Sequence, residues 1–162
     1  LVTGEEAFAT TTKHAECHRE GFVVTTDHGR FDREAIHAFL TRSYWAEGIP
    51  RVTVHRSIEG SLCFGLLEGA GQIGFARVVT DRATFAYLAD VYVLESHRGR
   101  GLGRWLIECV TAHPDLQGLR RQCLVTRDAH DLYRPFGFEA VRAPERYMEK
   151  VLPDPYRRTE SP

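Results

Sequence analysis

No stretch of this 162-residue chain approaches the ~20 consecutive apolar residues that a bilayer-spanning helix requires, so a membrane span is not expected. Neither sign of charge is in excess, with 21 Lys and Arg against 22 Asp and Glu and a formal net charge of −1. Proteins that track phosphodiester backbones carry a basic surplus, which argues against nucleic acid as the main partner. The four cysteines, Cys17, Cys63, Cys109 and Cys123, lack the short paired spacing of a zinc knuckle or a CxxC redox site. Three of them lie inside apolar runs, where a thiol is a small core residue, and a reducing, cytoplasmic compartment is expected. The eight histidines are scattered, with no His-x-x-x-His pair on a predicted helix, so no metal site is expected. No signal-peptide pattern is read and no break in composition divides the chain. With 43% hydrophobic residues it can fill the core of one globular domain.

What is present is concentrated in residues 91–110, VYVLESHRGRGLGRWLIECV. Val91, Tyr92 and Val93 are β-branched or aromatic and suit a strand. From Gly101 onward the period changes: Leu102, Trp105, Leu106, Cys109 and Val110 form one helical stripe. The switch falls across Arg98-Gly99-Arg100-Gly101-Leu102-Gly103. Glycines at a strand-to-helix hinge let a ligand approach bare backbone, and the first N–H groups of the helix point outward unpaired. The helix dipole and the two arginines make this an anion site, sized for a diphosphate.

A Walker loop would end in Gly-Lys-Ser/Thr, whereas Gly103 is followed by Arg104 and Trp105. A Rossmann fingerprint would place an acidic residue on a strand ~20 residues later, and Asp115 sits in no predicted strand. The segment instead resembles the pyrophosphate loop of the GCN5-related N-acetyltransferase (GNAT) superfamily, R/Q-x-x-G-x-G/A after a strand ending in V-x-V. Arg98, Gly101 and Gly103 fill the loop pattern, and Val91 and Val93 fill the strand. The resemblance implies that the backbone of Val91, Tyr92 and Val93 holds the pantetheine arm of acetyl-CoA. Arg98, Gly99, Arg100, Gly101, Leu102 and Gly103 would then hold its pyrophosphate.

Along the chain, residues 1–20 show no clear period and read as a flexible extension, with one acetyltransferase domain over 21–152 and a loose tail over 153–162. A short strand is predicted at 22–25. Asp32 is a natural N-cap for a helix carrying Ala35, Ile36, Phe39 and Leu40 on one face, with Phe31 and Ile36 as its staple. Pro50 suits the first turn of a second helix, 50–58, although 51–56 also alternates like a strand. Strands at 62–67, 72–80 and 84–93 follow through short turns and are expected to be antiparallel neighbours. After the central helix come a parallel strand at 122–125, a short helix at 128–136, and closing strands at 139–142 and 146–151. This order matches the superfamily's α/β fold: a mixed, mostly antiparallel central sheet of six to seven strands flanked by about four helices.

Acetyl transfer to an amine needs positioning, an oxyanion contact and proton handling. Leu132-Tyr133-Arg134-Pro135-Phe136-Gly137-Phe138 resembles the family's L-Y-x-x-x-G-F motif, which implies that Tyr133 protonates the departing CoA thiolate. Two departures stand out. Thr126 occupies the place of the usual asparagine seven residues before the tyrosine, as a candidate hydrogen-bond donor to cofactor or acceptor. Pro135 removes an N–H inside the motif helix at a cost of ~3 kcal/mol if interior. Asp90 matches an often acidic position and is the candidate base or amine-steering group, on the strand face opposite Val91 and Val93, with Arg77 or Arg82 as possible ion-pair partners. The position before it is Ala89, and Glu95 and His97 are expected to be solvated. A base acting through water, or none, is expected.

In the family the acceptor pocket is roofed by the segment joining the first two helices, here Tyr44 and Trp45, facing Tyr87 and Tyr147. Aromatics there suit an amine carried on an apolar body. The acceptor is expected to be a small-molecule or peptide amine, and a homodimer that covers C-terminal edge strands is compatible with the pattern. Two readings stand beside the enzyme: a non-catalytic CoA-binding module of the same fold, and, more remotely, a nucleotide-phosphate protein.

Overall fold

The strongest strand signals lie between Leu62 and Thr80, and in the computed structural model, which describes residues 14–156, they form the centre of the sheet. Six strands, β1 (Glu16–Arg19), β2 (Phe22–Thr25), β3 (Leu62–Glu68), β4 (Gly71–Thr80), β5 (Phe85–Val93) and β6 (Arg121–Leu124), lie side by side in chain order. All pairs are antiparallel except β5 with β6, because α3 (Leu102–Thr111) carries the chain back along the sheet between them. With α1 (Arg33–Leu40), α2 (Arg51–Glu59) and the single turn α4 (His130–Tyr133), the described residues hold four α-helices, and the expected mixed α/β architecture is the one observed. No described helix is long and apolar enough to cross a membrane.

Helices cover both faces of the sheet, which is why β3 and β4 are buried continuously rather than alternately. On one face the stripe of α3, Leu102, Trp105, Leu106, Cys109 and Val110, packs with Phe64, Leu66, Ala76 and Val78. On the other, Ile36 and Leu40 of α1 and Val54 and Ile58 of α2 pack with Cys63, Phe75 and Tyr92. Asp32 caps α1 as expected, accepting the Ala35 N–H at 2.9 Å. Pro50 stands one place outside α2, as its N-cap residue.

Three expectations need correction. The segment 1–20 is not all extension: Glu16–Arg19 is an edge strand, turned back onto β2 by Glu20 and Gly21, both at positive φ (+49° and +86°). Its polar sequence carries no alternation because its side chains are largely exposed, and it is held through its backbone. The first 13 residues lie outside those described. Downstream, 153–156 is not wholly loose, since Tyr156 packs against the α1–α2 cluster; residues 157–162 lie outside those described. Finally, neither closing strand forms. A 3₁₀ turn at Pro144–Arg146 interrupts the run, and its flanks are irregular and exposed, Met148 at 97%. Apolar and aromatic residues are not enough for a strand without a neighbouring edge to share hydrogen bonds, and among the described residues these flanks have none.

Two irregularities prepare the site. Parallel pairing of β5 with β6 runs from Phe85↔Arg121 to Leu88↔Leu124 and stops, while β5 continues to Val93. Residues 89–93 therefore have no described partner on that side, and the sheet opens. Opposite the opening, β4 and β5 shift register between Phe75↔Tyr92 and Arg77↔Ala89, so that β5 carries one extra residue. Asp90 takes the strain there, with φ +52° in the left-handed region.

α3 follows the glycine loop directly, and its packing is expected to dominate stability. Leu106→Ala, at a fully buried position, is expected to lower the unfolding free energy by about 2–5 kcal/mol, read as a lower urea midpoint at unchanged slope.

Candidate active site

The loop before α3 does locally what its glycines require. Gly101, at the N-cap, has φ +73°, a conformation costly for residues with a Cβ. Its carbonyl accepts the Trp105 N–H at 3.1 Å, the first bond of the helix. The N–H groups of Leu102, Gly103 and Arg104 therefore have no helical acceptor and, with the dipole, present partial positive charge at the end of β5. Gly103 sits against that strand: a Cβ there would stand 3.8 Å from Val93 Cγ2.

The arginines divide their work. Arg98 turns back and donates through Nε to the Val93 carbonyl at 3.0 Å, fastening the loop to the strand. Arg100 lies over the Phe22 ring at 4.9 Å. A further cation comes from β1: the Arg19 guanidinium stands 6.0 Å from the Trp105 ring centre, and its Nη2 lies 4.0 Å from where a Cβ on Gly101 would be. Sequence reading missed Arg19 because it placed that residue in an extension; the Glu20-Gly21 turn was the one local signal of a hairpin.

On β5, Val91 and Val93 pack toward the α3 face. The Tyr92 side chain goes the other way into the α1–α2 cluster, stacked on Phe39 with ring centres 3.7 Å apart, so only its backbone faces the opening. Tyr133 belongs to the α3-side cluster and is 8% exposed, with Phe138 edge-on at 6.0 Å. Burial, and then the nearby Tyr44 phenol, push its hydroxyl up to about 12. Pro135 acts as expected: the α-turn ends at Tyr133, continues as a 3₁₀ turn over Arg134–Phe136, and closes at Gly137 with φ +88°.

Tyr133 lines a groove of about 710 Å³ together with Leu124, Thr126, His130, Phe138 and Tyr147, to which neither 89–93 nor the 98–103 loop contributes. The Thr126 hydroxyl oxygen accepts the Ala129 N–H at 3.0 Å, which leaves its own proton free to donate.

On the opposite sheet face stand Asp90 and the aromatic residues. Both Asp90 oxygens are engaged: Oδ2 accepts from Arg77 Nε at 2.6 Å, and Oδ1 accepts from the Trp45 indole N–H at 3.1 Å. Of the two partners considered from sequence, Arg77 holds Asp90, whereas Arg82 pairs with Asp115 at 3.0 Å. Trp45 meets Tyr44 edge-on at 5.1 Å, and the Arg127 guanidinium covers the Tyr44 ring at 3.9 Å. Tyr87, between Ala86 and Leu88 of the α3-side core, points by alternation to the Asp90 face, and its half-burial raises its phenol. Tyr147 does not join this group; it sits beneath Arg121 at the start of β6, 5.5 Å away. Glu95 is exposed as expected, but His97 is not free, since its ring pairs with Glu68 at 2.9 Å. No metal-sized cluster of ligating side chains exists among the described residues.

The fold defines a class of α/β protein whose mixed sheet parts beside a glycine loop at a helix N-terminus, and known proteins show which family of that class the chain belongs to. The acetyltransferase (GNAT) domain family matches residues 59–140. A putative acetyltransferase of Gibberella zeae is 34% identical over 145 residues, 75% of this chain and 81% of that protein. A crystal structure of a putative GNAT-family acetyltransferase from Xanthomonas campestris superposes with a TM-score of 0.82 at 47% identity, covering 86% of this chain and 99% of the other. A structure described as a predicted acetyltransferase with acetyl-CoA, from Clostridium acetobutylicum, shares the fold at 14% identity, TM-score 0.57, over 86% of this chain and 95% of its own. The chain belongs to the GNAT acetyltransferase family.

A phenol held this high stays protonated at neutral pH. The raised value means that its neutral form stabilises the fold below the unfolded pKa of ~10, and that this contribution is lost as pH rises from there through about 12. Wild type and Tyr133→Phe should therefore give the same phenolate absorbance increase between pH ~9 and ~11. A difference spectrum titrating near 10 would place Tyr133 in water and contradict its burial.

Proposed function

We propose that the protein is an acetyl-CoA-dependent N-acetyltransferase that passes the acetyl group directly from the thioester to an amine, with Tyr133 as general acid. The observation that carries this reading is the arrangement around the sheet opening. Unpaired amides of Leu102, Gly103 and Arg104 stand at one end of the unpartnered stretch of β5, and a buried, protonated phenol, Tyr133, belongs to the core beneath α3. The amides, with Arg98 bracing and Arg19 and Arg100 nearby, suit a pyrophosphate. The backbone of 89–93 has no strand partner on that side and, apart from the Val93 carbonyl that Arg98 takes, suits an extended pantetheine arm, which would lie along β5 like an added strand. Family membership and the acetyl-CoA-bound fold relative support acetyl-CoA as the donor.

In the reaction the neutral amine attacks the thioester carbonyl carbon, the C–N bond forms and the C–S bond breaks. The thiolate takes the Tyr133 proton, the nitrogen gives its surplus proton to water, and water returns a proton to the Tyr133 phenolate. The residues chiefly orient the two reactants, and the phenol contributes the proton transfer. The acceptor is a small-molecule or peptide amine.

Thiol release from acetyl-CoA in the presence of an amine panel tests the reading. Turnover is expected, and Tyr133→Phe is expected to lower kcat roughly 10²-fold with little change in the acetyl-CoA KM. Absence of turnover on every amine, or a Tyr133→Phe variant equal to wild type, defeats it. Tight CoA binding without turnover would instead identify a CoA-binding module.

A further inference from the structure

Tyr44 and Trp45 remain 52% and 42% exposed, yet each is secured by a charged side chain from another part of the fold. Their segment is itself closed on the end of α1: the Gly48 N–H donates to the Thr41 carbonyl at 2.9 Å, and the Ser43 hydroxyl to the Leu40 carbonyl at 2.7 Å. From β5, Asp90 accepts the Trp45 indole N–H. Asp90 is itself fixed by Arg77, whose Nη1 also donates to Ser61 Oγ at 3.3 Å. From the loop after β6, the Arg127 guanidinium carbon lies over the Tyr44 ring, 3.9 Å from its centre, while Nη2 donates to Asp128 at 3.1 Å. A continuous series of contacts, Arg77–Asp90–Trp45–Tyr44–Arg127, thus crosses the gap where β5 and β6 part.

We propose that Arg127 and Asp90 are positioning residues of the acceptor site: Arg127 holds Tyr44 and Asp90 holds Trp45, so that the two rings stand as a fixed wall across the sheet opening. This rests on the acyltransferase reading of the same opening. The acceptor class follows from the wall: an amine on a flat, apolar body that packs against the rings, its nitrogen reaching past them to the thioester. Asp90 is then an anchor and not the base, because both oxygens are already committed to groups that need them. Its strained backbone agrees with an anchoring role, since a non-glycine residue keeps such a φ only where its surroundings fix it. Tyr44 also stands near enough to Tyr133 to add to the upward shift of its hydroxyl.

Three variants test this. Arg127 is exposed, so Arg127→Met should fold normally, and Asn tolerates left-handed backbone, so Asp90→Asn should as well. Arg127→Met is expected to raise the acceptor KM about tenfold while kcat and the acetyl-CoA KM stay within about twofold, and Arg127→Lys, which keeps a cation over the ring, should restore most of the loss. Asp90→Asn is expected to raise the acceptor KM and to make Trp45 emission, isolated by comparison with Trp45→Phe, more open to acrylamide quenching. It should leave the acidic limb of the kcat–pH profile in place. Loss of that limb with a collapse of kcat would make Asp90 the base and overturn the proposal, as would unchanged Trp45 quenching or no rescue by lysine. If the wild type turns over no amine, the acyltransferase reading fails by itself, while the quenching experiment still decides whether Asp90 holds Trp45.

Discussion

The end of the parallel pairing at Leu88 and Leu124 is the constraint on which the rest of this structure depends. A sheet whose strands stayed paired to their ends would offer no backbone to a ligand, since every N–H and carbonyl would be spent on a neighbouring strand. Because β6 leaves after four paired residues, β5 keeps a free edge over 89–93. The loop that follows must turn sharply onto α3, and the glycines at positive φ permit it. The free edge and the free helix amides are thus consecutive in sequence and in space, a geometry that one extended, anionic molecule can satisfy along its length.

The opening also joins the two faces of the sheet. Tyr133 belongs to the core beneath α3, whereas Asp90 and Trp45 stand on the side of α1 and α2. In a closed sheet these groups would never meet. Here Tyr44 comes close enough to Tyr133 to add to the upward shift of its hydroxyl, and Arg127 reaches Tyr44 from the loop after β6. The extra residue at Asp90 serves the same end, since the bulge increases the local twist of β5 at the point where the strands separate.

The fold was legible wherever burial imposed a period. The stripe of α3, the strand at Phe22–Thr25, the Asp32 cap and the three antiparallel strands all carry side-chain patterns created by one buried face or two. β1 carries none, because an exposed edge strand is chosen by its backbone partner, and Arg19 was overlooked with it. The reverse error came at the C-terminus, where Val141, Tyr147, Met148 and Val151 are strand-favouring or apolar residues but have no strand beside them and stay exposed. Near the sheet opening, the glycine hinge between β5 and α3 was readable from spacing, and Tyr133 was singled out by the family resemblance. Arg127 and the double engagement of Asp90 were not, because their partners lie 83 and 45 residues away, at Tyr44 and Trp45 respectively.

By itself the sequence determined where the chain turns from strand to helix, which residues line the core, and which short motif could grip an anion, since each depends on neighbours within a few positions. Only the tertiary structure decided where the sheet would part, which face each side chain of β5 would meet, and which distant charges would hold Tyr44 and Trp45. Those outcomes depend on register and on contacts between elements far apart in the chain, and no local period encodes them.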